Sequence, residues 1–345
     1  MVPRLAVVET GFPRELDPNW SELRELSHAW AADKRIMAPE VIREQADGLR
    51  YTDLIAGVYV GSPAPVLSAI IDFSVWFFAW DDRHDRDAAH RRDECWTRLS
   101  GALRAALEAP LVHMRHPDPL VAAFADAIGR LYTLLGDRWN ARFADHFGQV
   151  IDAYGREYRN RMTGTVPTVA DYLELRPLTF AHEVWLDLLE PAARYELPRH
   201  VVADDAYRRA GQACQDFAAW YNDLCSLPKE IAAAEPHNLG VSLIHHEGLS
   251  VSRATAEVRR RVVVRVADFL DAEADVHRLV AGAAPGLRRA VRYCLRGMRN
   301  WISSSYWFHH ESDRYRVDTW DDPSLPPYLK DLVVPDECGQ STADP

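Results

Sequence analysis

Along most of this chain, apolar residues recur every three or four positions, the repeat that gathers them on one face of an α-helix. Residues 121–136 (VAAFADAIGRLYTLLG), 143–161 (FADHFGQVIDAYGREYRNR) and 253–280 (RATAEVRRRVVVRVADFLDAEADVHRLV) show it plainly, and all are rich in the helix-favouring Ala, Leu, Arg and Glu. The alternation of a half-buried strand is nearly absent, so architectures built on sheets drop out. Breaks fall at Pro- and Gly-containing stretches: SPAP (62–65), HPDP (116–119), TGTVPT (163–168) and AAEPHN (233–238). No repeat and no long linker interrupts the pattern. The expectation is one all-α domain of about ten helices over residues 1–333, with VPDECGQSTADP (334–345) as a frayed tail.

Composition narrows the function. With 345 residues, 48% of them hydrophobic, the chain can bury a large core. A formal charge of −11 argues against nucleic acid as a partner, because that affinity rests on clustered Lys and Arg. Any anionic substrate must then be held by local cations or metals. The five cysteines are odd in number, widely spaced and without a CxxC pair, which suggests a reducing, cytoplasmic setting and no zinc site. The N-terminus lacks the long apolar run of a signal peptide. The most apolar stretch, VLSAIIDFSVWFFAW (66–80), is shorter than the roughly 20 residues that cross a bilayer and contains Asp72, so it reads as a buried helix rather than a membrane insertion.

Two polar clusters carry the chemistry. In NDLCSLPKE (222–230), Asn222, Ser226 and Glu230 stand four apart, and on a helix such positions form one stripe about 12 Å long. Amide, hydroxyl and carboxylate oxygens suit a hard divalent cation, and Lys229 beside them suits an anion bound to it. Alone, the stretch reads equally well as an N-capped helix start on the surface. The second cluster, DDRHD, follows the aromatic run Trp76, Phe77, Phe78. Asp81 and Asp85 share a helix face, with Asp82 about 100° round. A solvated helix end would explain three acids in five residues. Acids near a helix C-terminus are disfavoured by its dipole, however, and carboxylates at the lip of an aromatic pocket make more sense with a cation between them.

These motifs resemble those of bacterial class I terpene synthases, the terpene cyclases, which carry an aspartate-rich DDxxD motif on one helix and an NDxxSxx(K/R)(E/D) motif on a facing one. DDRHD matches the first and NDLCSLPKE the second. Arg176, 46 residues before Asn222, stands where the family keeps a diphosphate-sensing arginine, and Arg314–Tyr315 in ESDRYR match its Arg-Tyr pair. The resemblance spans nearly the whole chain, WAADKRIM near the N-terminus included. It implies a helical bundle around a central hydrophobic cavity. It also implies three Mg²⁺ ions, with Mn²⁺ as a substitute, two held by Asp81, Asp82 and Asp85 and one by Asn222, Ser226 and Glu230. Arg176, Lys229, Arg314 and Tyr315 would complete a cage around the diphosphate of a linear isoprenoid. Phe77, Phe78 and Phe308 would be wall residues. The linker and effector positions after the sensing arginine correspond to Thr179 and Phe180, and a bulky Phe180 departs from the family's small effector, with its backbone carbonyl as the remaining candidate. VYVGSP (58–63) likewise lacks the family's Tyr-Pro step.

The activity implied is cyclisation of farnesyl diphosphate to a sesquiterpene. A diterpene cyclase acting on the C20 diphosphate, a chain-elongating prenyltransferase and a non-catalytic helical binding module are the alternatives. A homodimer is left open. Pro177 should break the helix of Arg176, Pro228 should kink that of Asn222, and residues 309–322 should become ordered when diphosphate binds.

Overall fold

The computed structural model describes residues 10–37 and 46–315. The described residues form sixteen α-helices and a terminal 3-10 turn, with no strand among them. In chain order the helices are α1 Trp20–Asp33, α2 Ala46–Leu49, α3 Tyr51–Val58, α4 Ala64–Ala89, α5 Asp93–Glu108, α6 Pro110–His113, α7 Pro119–Leu131 and α8 Asp137–Thr163. They continue with α9 Val169–Thr179, α10 His182–Asp187, α11 Leu189–Ala193, α12 Arg199–Val202, α13 Asp205–Ala232, α14 Leu239–Glu247, α15 Val251–Leu279 and α16 Pro285–Glu311. Eight have thirteen residues or more, and the other eight, which take the count past the expected ten, have four to eleven. Those are too short for a period of 3.6 to show. The segment 334–345 lies outside the described residues.

The expected breaks coincide with real helix ends, and their chemistry is visible. Pro65 and Pro119 occupy first-turn positions, where the missing N–H has no helical partner to lose. Thr168 and Asn238 cap the next helices through their side chains, accepting from the backbone N–H of Asp171 and Gly240. Gly164 ends α8 at φ 66°, a conformation costly for other residues.

α4 is the axis of the molecule. It packs against α1, α3, α7 and α8, and its Phe73, Trp76 and Trp80 are fully buried among Phe124, Phe143 and Phe147. It is long and apolar enough to span a bilayer, but 72% of its apolar window is buried inside the protein. Asp72, the residue at odds with a membrane, accepts a 2.8 Å ion-paired hydrogen bond from Arg130, and burial still raises its pKa. DDRHD lies within α4, which continues to Ala89, rather than at its end. The second long unit, α13, packs on α15 and α16. NDLCSLPKE is interior to α13, which excludes the surface N-cap reading, and the helix runs on through Pro228 to Ala232.

One buried acid on α13 gives a pH-dependent test of the packing. Asp216 accepts from Gln212 at 2.7 Å and lies 3.5 Å from Arg265, yet burial pushes its pKa up to about 6. A folded-state pKa above the unfolded one means the native state binds more protons in between, so this site costs stability as pH rises through about 4 to 6. Asp216→Asn should therefore be more stable than the parent at pH 8, by roughly 1–2 kcal/mol once the weakened Arg265 pair is allowed for. The difference should vanish by about pH 4. Urea midpoints at the two pH values check this, and a gain independent of pH would contradict it.

Candidate active site

A cavity of about 300 Å³ opens between α4, α8, α9–α10, α13 and α16. Its depth is aromatic. Phe77 and Phe78 of α4, Phe180 and Trp185 around α10, and Trp301 of α16 line it together with Tyr154. Phe77 meets Trp185 edge-on at 5.3 Å, Trp185 lies 5.7 Å from Trp301, and Phe78 stacks on Tyr51 at 3.9 Å. Trp185 is fixed at both ends: its Nε1 donates to the Phe180 carbonyl at 3.0 Å, and its own carbonyl accepts from the Tyr59 hydroxyl at 2.8 Å. The Phe180 carbonyl is thus already engaged.

The mouth is polar and gathers the sequence motifs. Asp81 and Asp85 line it from α4, and Asn222, Lys229 and Glu230 face them from α13, joined by Arg176, Thr179 and Tyr315. Asn222 is the hub. Its Oδ1 accepts from Arg176 Nη2 at 2.9 Å, and its Nδ2 donates to the Tyr315 hydroxyl at 2.8 Å and to His309 Nε2 at 3.1 Å. His309 Nδ1 is 2.6 Å from the Ser305 carbonyl, which fixes the tautomer that leaves Nε2 as acceptor. The 46-residue interval between Arg176 and Asn222 is therefore a direct contact. Lys229 Nζ lies 5.7 Å from the Tyr315 ring centre, and the Arg176 guanidinium 5.3 Å from that of Phe180.

α9 ends at Thr179, two residues after Pro177, and the chain restarts as α10 once Ala181 has taken φ 56°. The break expected after the sensing arginine is present.

Three expected site residues sit elsewhere. Asp82 is buried and outside the cavity lining, on the flank of α4 its 100° offset implies. Ser226 is 1% exposed and also off the lining, with its Oγ near the Asn238 amide at 3.4 Å. Phe308 packs behind the wall, 6.1 Å from Phe78 and 5.7 Å from Tyr315. Trp185 and Trp301 line the cavity instead. The Arg314 side chain and residues 316–322 lie outside the described residues.

Several functional neighbours were not anticipated. Asp223, 1% exposed, pairs with Arg176 at 2.9 Å and accepts from the Tyr172 hydroxyl at 2.5 Å and the Leu239 amide at 3.3 Å. Asn238 donates to Glu230 at 2.6 Å. Burial pushes the Glu230 pKa up to about 7. Arg161 bridges both sides of the mouth: it reaches Asp85 at 2.7 Å, Glu157 at 2.8 Å and Glu235 at 3.0 Å. Burial opposes its charge, but these three carboxylates raise its pKa well above normal. Its guanidinium stands among His84, Asp85 and Glu157, whose ligand atoms all lie within 4.8 Å of one another. Tyr154 donates to Asp81 at 2.9 Å. Two sequence signals were present: Asp223 is the second residue of NDLCSLPKE, and Glu157–Arg161 form an i, i+4 pair on α8.

The donor set suits divalent cations. Among the described lining residues, five carboxylates (Asp81, Asp85, Glu157, Glu230, Glu235) face three cations (Arg161, Arg176, Lys229). Such a mouth repels a diphosphate unless further positive charge joins it, and oxygen ligands of this kind favour a hard metal.

An all-α bundle whose cavity joins an aromatic interior to an oxygen-rich mouth suits a metal-dependent enzyme acting on an apolar chain with an anionic head. Residues 72–268 match the model of terpene synthase family 2, C-terminal metal binding. The chain is 55% identical to epi-isozizaene synthase of Streptomyces coelicolor, over 94% of this chain and 92% of that one. It is 29% identical to pentalenene synthase of Streptomyces arenae, over 89% and 91%. Germacradien-4-ol synthase of Streptomyces citricolor superposes with a TM-score of 0.75 at 25% identity, covering 88% of this chain and 98% of the other. This protein belongs to the terpene synthase family: it is a class I terpene cyclase that takes an isoprenoid diphosphate and uses a divalent metal.

Proposed function

We propose that this enzyme cyclises farnesyl diphosphate to a sesquiterpene, using three Mg²⁺ ions. The observation that carries this reading is the division of one cavity into a carboxylate-rich mouth and an aromatic interior. A relative 26% identical over 96% of this chain is named a (−)-β-caryophyllene synthase, (2E,6E)-farnesyl diphosphate cyclizing, which supports the C15 substrate.

Asp81 and Asp85 on one side, and Asn222 and Glu230 on the other, would hold the metals. Ser226 would join them after a side-chain movement, and Asp82 would act from behind the motif. When bound, the metals neutralise the leaving diphosphate. Arg176, Lys229 and Tyr315 bind its oxygens by charge-assisted hydrogen bonds, and Arg314 follows Asp313 into the same segment. Ionisation then needs no protein nucleophile, because these donors stabilise negative charge as it develops. The carbocation left behind is held against ring faces, each worth roughly 0.5–2 kcal/mol, in a cavity whose apolar walls exclude water.

Incubation with geranyl, farnesyl and geranylgeranyl diphosphates and Mg²⁺, followed by product analysis, tests the proposal. A cyclic C15 product from the farnesyl substrate is expected, with epi-isozizaene as the first reference compound. Turnover confined to the C20 substrate, or a longer linear diphosphate as product, would refute it.

Phe77 tests the interior. It is 7% exposed, one turn deeper on α4 than Asp81, and its ring lies among Trp80, Tyr154 and Trp185. Phe77→Leu keeps much of the volume but removes the quadrupole, so turnover should fall about three- to thirtyfold, or products shift towards acyclic and less cyclised terpenes. Phe77→Tyr should retain more. Gas chromatography of the products decides, and an unchanged rate and spectrum would make Phe77 ordinary core.

A further inference from the structure

The cavity that holds the motifs is not the only one among the described residues. A second, of about 660 Å³, lies on the other side of α10. The six residues of α10 form a partition between the two: Trp185 faces the aromatic cavity, while Glu183, Leu186 and Asp187 face the second. The partition is seated firmly. Leu186 fits the space left by Gly211 of α13, where an added Cβ would come within 2.7 Å of Leu186 Cδ1.

The second cavity has three zones. Its floor is a closed ionic network in which Arg142 pairs with Asp187 and Glu190, and His146 Nδ1 lies 2.7 Å from Asp187. In that network one guanidinium and one imidazole are tied to two carboxylates, so these groups are already engaged with one another. One wall is apolar, built from Leu186, Leu197, Val202 and Tyr207. The rim carries Arg138, Arg199 and Arg208, all exposed. Arg138 is engaged by Glu196. Arg199 and Arg208 form no ion pair among the described residues, and one rim carboxylate, Glu183, stands against them. In a chain of net charge −11, this rim sets three guanidinium groups against two carboxylates, Glu183 and Glu196, beside an apolar wall.

We propose that this cavity binds a small amphiphilic anion, with a phosphate or carboxylate head at Arg199 and Arg208 and a short apolar body along Leu186, Leu197, Val202 and Tyr207. Guanidinium groups suit such heads because their planar donors meet two oxygens at once. The volume is many times what a single water needs, so an alkyl chain can enter and displace water from the apolar wall. The site is distinct from the diphosphate site, since none of its lining residues lines the other cavity.

Titration calorimetry with octyl phosphate and with inorganic phosphate tests this, with Mg²⁺ and inorganic diphosphate present to fill the first site. Octyl phosphate should bind saturably and at least tenfold more tightly than inorganic phosphate. The double variant Arg199→Ala/Arg208→Ala should weaken it at least tenfold while leaving turnover without the probe unchanged, because both side chains are exposed and far from the motifs. Absence of saturable binding would overturn the proposal. So would equal affinity for the two probes, or a double variant that binds as the parent does. Cyclase activity is read separately, so failure here would leave the farnesyl reading intact, and the converse holds.

Discussion

Asn222→Ala should lower turnover at least a hundredfold and leave the helical signal unchanged. Three hydrogen bonds orient this amide: two end on groups at the mouth, Arg176 and Tyr315, and the third on buried His309. Its loss removes an oxygen of the proposed metal site and the brace that ties the Arg176 end of α9 to the 3-10 turn after α16. The fold should survive, because Ala favours the interior of α13 and Arg176 keeps its ion pair with Asp223. Asp81→Ala should behave alike, since Asp81 faces the same space from α4 with its carboxylate braced by Tyr154. Turnover measured across a Mg²⁺ titration, beside far-UV circular dichroism, checks both. Full activity in either variant, or turnover without any divalent cation, would remove the metal site from these residues.

What made these residues legible in the sequence is that their arrangement is local. Oxygen donors four apart on a helix share a face whatever the rest of the chain does, so NDLCSLPKE and the Asp81–Asp85 pair could be read as stripes. The same rule placed Asp82 off the stripe, and the structure agrees. Phe308 was harder. The resemblance placed it in the wall, but α16 ends at Glu311 and the turn that follows breaks the register with Tyr315, so spacing to the motif no longer predicts direction. The cavity wall could not be read at all where it depends on tertiary approach. Trp185 and Trp301 stand 116 residues apart in sequence and meet only in the tertiary fold, with ring centres 5.7 Å apart. Arg161 is similar, since its partners Asp85 and Glu235 lie on opposite sides of the mouth. Short helices such as α10, which separates the two cavities, carry too few residues for periodicity to register.

The acid beside Asn222 should matter for a different reason. Asp223 points away from the cavity, fully enclosed, and is the carboxylate that compensates the charge of Arg176. Burial raises its pKa, and Arg176, Tyr172 and the Leu239 amide work against that rise. Asp223→Asn has nearly the same shape but removes the carboxylate directly paired with Arg176, whose side chain is 15% exposed. Breaking a buried pair by removing one partner costs about 3–5 kcal/mol, several times the loss of a single neutral hydrogen bond. Asp223→Asn should therefore lower stability by that amount and turnover with it, whereas Asn222→Ala lowers turnover alone. A double-mutant cycle with Arg176→Met separates charge from packing. Once the guanidinium is gone, a neutral amide at position 223 no longer strands a charge in an apolar surround, so the double variant should be at least about 2 kcal/mol more stable than additivity requires. Urea unfolding of the four proteins measures the coupling. Additive losses, or an Asp223→Asn enzyme within about 0.5 kcal/mol of the parent, would mean that Arg176 is held in place by its contacts at the mouth rather than by Asp223.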